Sequence, residues 1–193
     1  MVARVPAVIS EHRYDLVAPP DAAASVLVLH PHPDMGGDRF NPVVDAVFRA
    51  AVDRGWAALR FDFSTSDVDE ATAEAAEAVD LLPTGPRPSV VGYSFGAAIA
   101  AGLADERIAG WALIAPPFGP RFPAADLAIG PDPRPKLLLS PAHDQFCPPE
   151  AAAAATSSWV NATVEPVASA DHFMSGVVDG VANRVLDWIG AMA

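Results

Sequence analysis

The sequence predicts an α/β fold: a mainly parallel central sheet with helices on both faces and no cap domain. Three observations predict it. Apolar, β-branched runs alternate with helical stretches along almost the whole chain, the pattern of parallel strands joined by crossover helices. The runs are continuously apolar, as expected of strands covered on both faces. The polar groups of chemical interest each fall just after such a run, at the carboxyl edge where ligands of these sheets bind.

A chain of 193 residues suits a single domain over residues 1–193 with a sizeable core. It is 51% hydrophobic and 19% charged, which excludes a disordered chain. A net charge of −12 argues against nucleic acid, whose phosphates require Lys and Arg. The lone cysteine, Cys147, excludes an internal disulfide and fits a reducing, cytoplasmic setting. Near the N-terminus Pro6 interrupts a short apolar run, and Glu11, His12 and Arg13 follow, which is not the pattern of a signal peptide. The longest uncharged stretch, residues 88–104, is shorter than the roughly 20 residues a membrane helix needs, so no membrane association is expected.

In order, residues 13–18 read as a short strand ended by Pro19 and Pro20. Residues 24–30 are a continuous apolar strand, and Pro31 to Gly37 form a Pro- and Gly-rich loop. Asn41 and Pro42 start a helix as N-cap and first-turn proline, and Gly55 stops it. Residues 56–63 form the next strand. Residues 67–82 form an Ala- and Glu-rich helix with its acids in the first turn, where the helix dipole prefers them. Residues 89–101 read as strand, sharp turn and a helix of small residues. Residues 108–115 are a strand, and 116–135 are a Pro/Gly-rich connection with room for one helical turn. A strand at 136–140, a helix at 148–159, a strand at 163–168 and an amphipathic helix at 176–192 complete the chain.

The turn within residues 89–101 carries chemistry. It spells G-x-S-x-G at Gly92, Ser94 and Gly96. A nucleophilic serine there stands exposed on a strained turn between a strand and a helix. The glycines on either side remove Cβ atoms that would collide, and the helix N-terminus aims N–H groups at the serine. A serine hydroxyl needs a histidine to take its proton and a carboxylate to orient that histidine. In this context the chain order is serine, acid, histidine. Only His143 and His172 follow Ser94, and His172 lies straight after the last strand. Asp144 follows the strand at 136–140 and can reach across to it. Asp171 is the competitor, but as a sequence neighbour of His172 its carboxylate should point away, and Glu150 belongs to the next helix. The oxyanion formed by serine attack needs two donors. The backbone N–H of Phe95 is one, and that of His32, between two prolines lacking an N–H, is the other.

The segments around Val26–Gly37, Leu59 to Phe63, Gly92 to Gly96, Asp144 with Pro148, and Asp171-His172-Phe173 resemble the small, cap-less bacterial α/β-hydrolases, in particular the dienelactone-hydrolase-like group. The resemblance implies an α/β-hydrolase fold, a Ser94–Asp144–His172 triad, Phe95 and His32 as oxyanion donors, and no cofactor. The chain departs from the group in two places. Residues 64–70 replace a glycine-rich loop that lines the site in relatives. The elbow carries Ser94 where true dienelactone hydrolases carry cysteine, so that substrate is not transferred.

The expected activity is a serine esterase acting on a small-molecule ester in an open site lined by Met35, Phe118, Phe122 and Phe146. Two other readings stand beside it. His30, His32 and Asp34 offer an H-x-H-x-D metal-ligand spacing, which would suit a metallohydrolase. The short segment at 64–70 would suit a non-catalytic ligand-binding protein on the same fold.

Overall fold

The computed structural model describes residues 14–193. The readings of the N-terminal residues, and of Arg13 as the start of the first strand, lie outside this range. Among the described residues, seven strands form one sheet: β1 (Tyr14–Val17), β2 (Ser25–Leu29), β3 (Ala57–Phe61), β4 (Pro88–Tyr93), β5 (Gly110–Ile114), β6 (Lys136–Pro141) and β7 (Ala162–Val167). Their order is β1-β3-β2-β4-β5-β6-β7. Only β1 runs antiparallel, at the edge, in register Tyr14↔Phe61 to Val17↔Ala58. The other pairs are parallel.

Among the described residues four helices connect them, α1 (Pro42–Asp53), α2 (Val68–Leu81), α3 (Phe95–Gly102) and α4 (Pro149–Ala155), and α5 (Val178–Gly190) follows β7. Side chains alternate across each strand, so the sheet carries two cores. Leu27, Leu29, Leu59, Phe61, Trp111 and Leu113 face α2, α3 and α4. Val26, Val28, Ala112, Ile114, Leu137 and Leu139 face α1 and α5. Central strands β2 to β6 are buried at every residue, which is why their sequences are apolar without alternation.

The start and stop of α1 form as the sequence predicts, and α2 adds a side-chain cap that the sequence reading does not name. The Asn41 side chain accepts the N–H of Val43, and Pro42 opens α1. The Asp67 side chain accepts the N–H groups of Asp69 and Glu70 at the start of α2. Gly55 follows α1 with φ +72, a left-handed turn that suits glycine.

Most elements are trimmed at their ends relative to expectation, and in β3 and α4 the cause is visible. β3 ends at Phe61 rather than residue 63, because Asp62 turns to hold Arg39 through its side chain and its backbone N–H (2.8 Å), and the Phe63 N–H donates to His30 Nε2 at 2.9 Å. α4 covers Pro149–Ala155 rather than 148–159. There the Thr156 hydroxyl bonds back to the Ala152 carbonyl at 2.8 Å, and the Trp159 indole bonds the Ala124 carbonyl at 3.1 Å, drawing the chain out of the helix. The connection 116–135 holds one turn of 3₁₀ helix, Ala124–Asp126, and no cap domain.

The order of strands explains where a site can form. From β2 the chain steps to β3 on one side and returns as β4 on the other. The crevice at that reversal opens beyond the carboxyl ends of β2 and β4. The loop after β2 and the turn after β4 both project there.

Candidate active site

Ser94 sits between β4 and α3 with φ 53 and ψ −116, a backbone state that costs a non-glycine residue about 1–3 kcal/mol. The neighbouring glycines make it possible. A Cβ on Gly92 would lie 2.2 Å from the Gly96 carbonyl oxygen, and one on Gly96 would lie 2.4 Å from the Leu29 oxygen. Chain crossing at this distance is open only to glycine. The Ser94 N–H is held by the Ile114 carbonyl at 2.9 Å, which ties the turn to β5.

The Ser94 hydroxyl lies 2.9 Å from His172 Nε2, and His172 Nδ1 lies 2.9 Å from Asp144 Oδ2. Serine and histidine are 78 residues apart, and histidine and aspartate 28, so the sheet alone brings them together. Asp144 and His172 are buried, whereas Ser94 is half-buried and faces a cleft. Burial pushes the Asp144 carboxyl up. The hydrogen bond from His172 and those from the Phe146 and Cys147 N–H groups outweigh it, and the net displacement is below the ordinary carboxylate value. Asp144 therefore carries its charge beside Nδ1 and favours the tautomer with a proton there and a lone pair on Nε2, toward the serine.

Tyr93 braces the same loop. Its hydroxyl donates to the His172 carbonyl at 2.9 Å. Burial, then the charges of Asp144 and Asp171, push this phenol up to about 12, so it stays a donor. Asp171 points away from the imidazole, as expected. Its carboxylate accepts the N–H groups of Phe173 and Ser175 at 3.1 and 3.4 Å. His143 is exposed and stands apart from the relay.

The N–H groups of Phe95 and His32 have no hydrogen-bond acceptor among the described residues. Both residues line the cleft beside Ser94. The His32 ring lies against the Phe95 ring, centroids 4.9 Å apart. The loop that carries His32 is folded on itself: Met35 and Gly37 both donate to the His32 carbonyl, at 3.1 and 3.0 Å. His30 anchors it from below. Its Nδ1 contacts the Pro31 carbonyl at 2.6 Å and its Nε2 accepts from Phe63. With both ring nitrogens engaged in the backbone, His30 is a clamp. Among the described residues no three His, Cys, Asp or Glu side chains are placed to hold a metal ion, so the H-x-H-x-D spacing does not converge in space.

The cleft has a volume of about 400 Å³. Met35, Phe118, Phe122 and Phe146 all line it, as expected. Phe118 and Phe122 are buried, and Met35 and Phe146 stand on its exposed rim. Residues 64–70 do not line it. Ser64 is drawn away by the buried Glu74, which accepts its N–H at 2.9 Å and its hydroxyl as well. The cleft has further lining groups that the sequence does not single out, among them Tyr93, Arg121 and Phe173. Phe173 and Tyr93 had a signal, since each adjoins a proposed catalytic residue; Arg121 had none. Cys147 is a buried core residue, its thiol pushed up by burial and by the Asp144 charge, which makes it a poor nucleophile.

Fold and cleft together define a small, cap-less α/β hydrolase. The model of the alpha/beta hydrolase family matches residues 17–190, and the chain belongs to that family. An uncharacterized protein of Rickettsia prowazekii (strain Madrid E) is 32% identical over 150 residues, covering 70% of this chain and 63% of that relative's length. Among solved structures, an alpha-beta serine hydrolase homologue from Coxiella burnetii superposes with a TM-score of 0.79 at 22% identity, covering 91% of this chain and 90% of its own. A serine hydrolase without a lid from Xanthomonas campestris gives a TM-score of 0.74 at 22% identity, covering 91% and 88%. No helix among the described residues is long and apolar enough to cross a membrane.

Proposed function

We propose that the chain is a serine hydrolase of the carboxylesterase type, cleaving small carboxylic esters through an acyl-enzyme. The observation that carries this reading is the pair of 2.9 Å contacts linking Ser94, His172 and Asp144 at the wall of a mostly apolar cleft. His172 Nε2 takes the proton of Ser94 as its oxygen attacks the ester carbonyl. The oxyanion that develops is stabilised by the N–H groups of Phe95 and His32. The C–O bond to the alcohol then breaks, and His172 returns the proton to the departing oxygen. Water enters, gives its proton to His172, attacks the acyl-enzyme, and the acid leaves with Ser94 reprotonated. Asp144 holds the imidazole and stabilises its charged form without taking the proton itself.

The test is hydrolysis of an aryl butyrate, with a fluorophosphonate probe as the direct readout of the serine. Wild type is labelled and turns over. Ser94→Ala loses the label and its turnover falls by several orders of magnitude. An undiminished rate in Ser94→Ala rejects the assignment. An unlabelled, inactive wild type would favour the non-catalytic binding protein.

A further inference from the structure

Resting on the serine-hydrolase reading, we propose that Phe146 and Phe173 form a leaving-group subsite that selects esters of flat, aromatic alcohols. The argument starts from the proton His172 must return. The departing oxygen has to lie within hydrogen-bond reach of Nε2, so whatever that oxygen carries lies beside the imidazole. Two rings flank that imidazole from different loops. Phe146, on the loop after β6, has its centroid 4.6 Å from the His172 ring, and Phe173, on the loop after β7, lies 5.9 Å away, both edge to face.

These rings differ from the others in the cleft. Phe118 is packed on Trp159 at 5.5 Å and Phe122 on Phe95 at 6.3 Å, and both are buried. Their contacts are with the core. Phe146 and Phe173 are 53% and 63% exposed, and among the described residues their only ring contact is with His172, not with each other. Two largely exposed rings that line the cleft therefore border the slot where the alcohol must depart. It is built on fixed backbone: the Phe146 N–H donates to Asp144 at 2.8 Å and the Phe173 N–H to Asp171 at 3.1 Å. The carboxylate that orients the base thus also seats one wall of the slot. With the oxyanion held at Phe95 and His32 and the alcohol at the slot, the acyl group is left the part of the cleft bordered by Phe118 and Phe122.

The experiment compares phenyl butyrate with hexafluoroisopropyl butyrate. They deliver the same acyl group, and their alcohols are of similar acidity, so the two differ in the flat ring. kcat/KM reports acylation, the step in which the alcohol departs. In wild type the phenyl ester is preferred about tenfold, the product of two aromatic contacts each worth a few-fold. In the Phe146→Ala/Phe173→Ala double variant the ratio falls toward one. Phe146→Leu/Phe173→Leu, which keeps apolar bulk and guards against a folding defect, also lowers it. A wild-type ratio near one, or a ratio unchanged in both variants, overturns the subsite while Ser94-dependent cleavage of both esters upholds the hydrolase. Failure of both esters to acylate Ser94 in wild type sinks both readings together.

Discussion

Replacing Gly37 with alanine tests the reading of the His32 loop without touching any side chain in the relay. A Cβ at Gly37 would lie 2.2 Å from the Pro31 carbonyl oxygen and 2.8 Å from that of His32. Backbone is in the way, so no side chain can swing aside. The Pro31–His32 peptide must retreat by about 1 Å before contact becomes ordinary. That is enough to move the His32 N–H out of the roughly 3 Å range an oxyanion donor needs. Loss of one such donor lowers kcat by about 10²–10³-fold. The accompanying overpacking costs about 1–3 kcal/mol of stability, which leaves a chain of this size folded. The assay is kcat on a butyrate ester, paired with affinity for a trifluoromethyl ketone, which forms the tetrahedral adduct. Both should fall by a similar factor while KM stays within a few-fold. Full kcat in a folded Gly37→Ala protein would show that the His32 N–H does no work on the oxyanion.

Two further outcomes follow from the same structure. Asp144→Asn removes the charge that orients His172 and should lower kcat by about 10³–10⁴-fold at pH 7. Because the Asp144 carboxyl is held below its ordinary value, its charge stabilises the fold above pH about 4 and ceases to do so as pH falls through the lower native value. Urea unfolding should accordingly show wild type ahead of Asp144→Asn near neutrality, with the gap closing in strong acid; a gap that widens on acidification contradicts the assignment. Glu74→Ala strips the Ser64 N–H and hydroxyl of their acceptor and should cost about 1–3 kcal/mol in the same unfolding assay. Its butyrate kcat should stay at the wild-type level, since residues 64–70 lie off the cleft; a large drop would return that segment to the site.

What could be read from the chain was whatever is encoded locally. Continuous apolar runs gave the buried strands, Asn41-Pro42 gave the start of α1, and Gly92, Ser94 and Gly96 gave the strained turn. Chain order then paired Ser94 with Asp144 and His172. What escaped depended on partners distant in sequence. β3 stops at Phe61 because Asp62 is claimed by Arg39, 23 residues earlier, and Phe63 by His30, 33 residues earlier. No periodicity within the strand could signal that. The strand order was hidden too, since alternation of strands and helices does not say on which side of β2 each newcomer lands. Gly37 looked like loop punctuation, and only its distance to Pro31 gives it a role. His30 looked like a ligand by spacing, and only its two backbone contacts make it a fastening.

That fastening has a consequence for how such a scaffold can change. His30 sits just after β2, 1% exposed, and joins the buried chain just beyond β3, at Phe63, to the first peptide of the donor loop. The donor's position is thereby referenced to the protein's interior, not to its outer surface. Mutations can accumulate along the outer rim, reshaping what is admitted, while the His32 N–H proposed to stabilise the reacting carbonyl keeps its place.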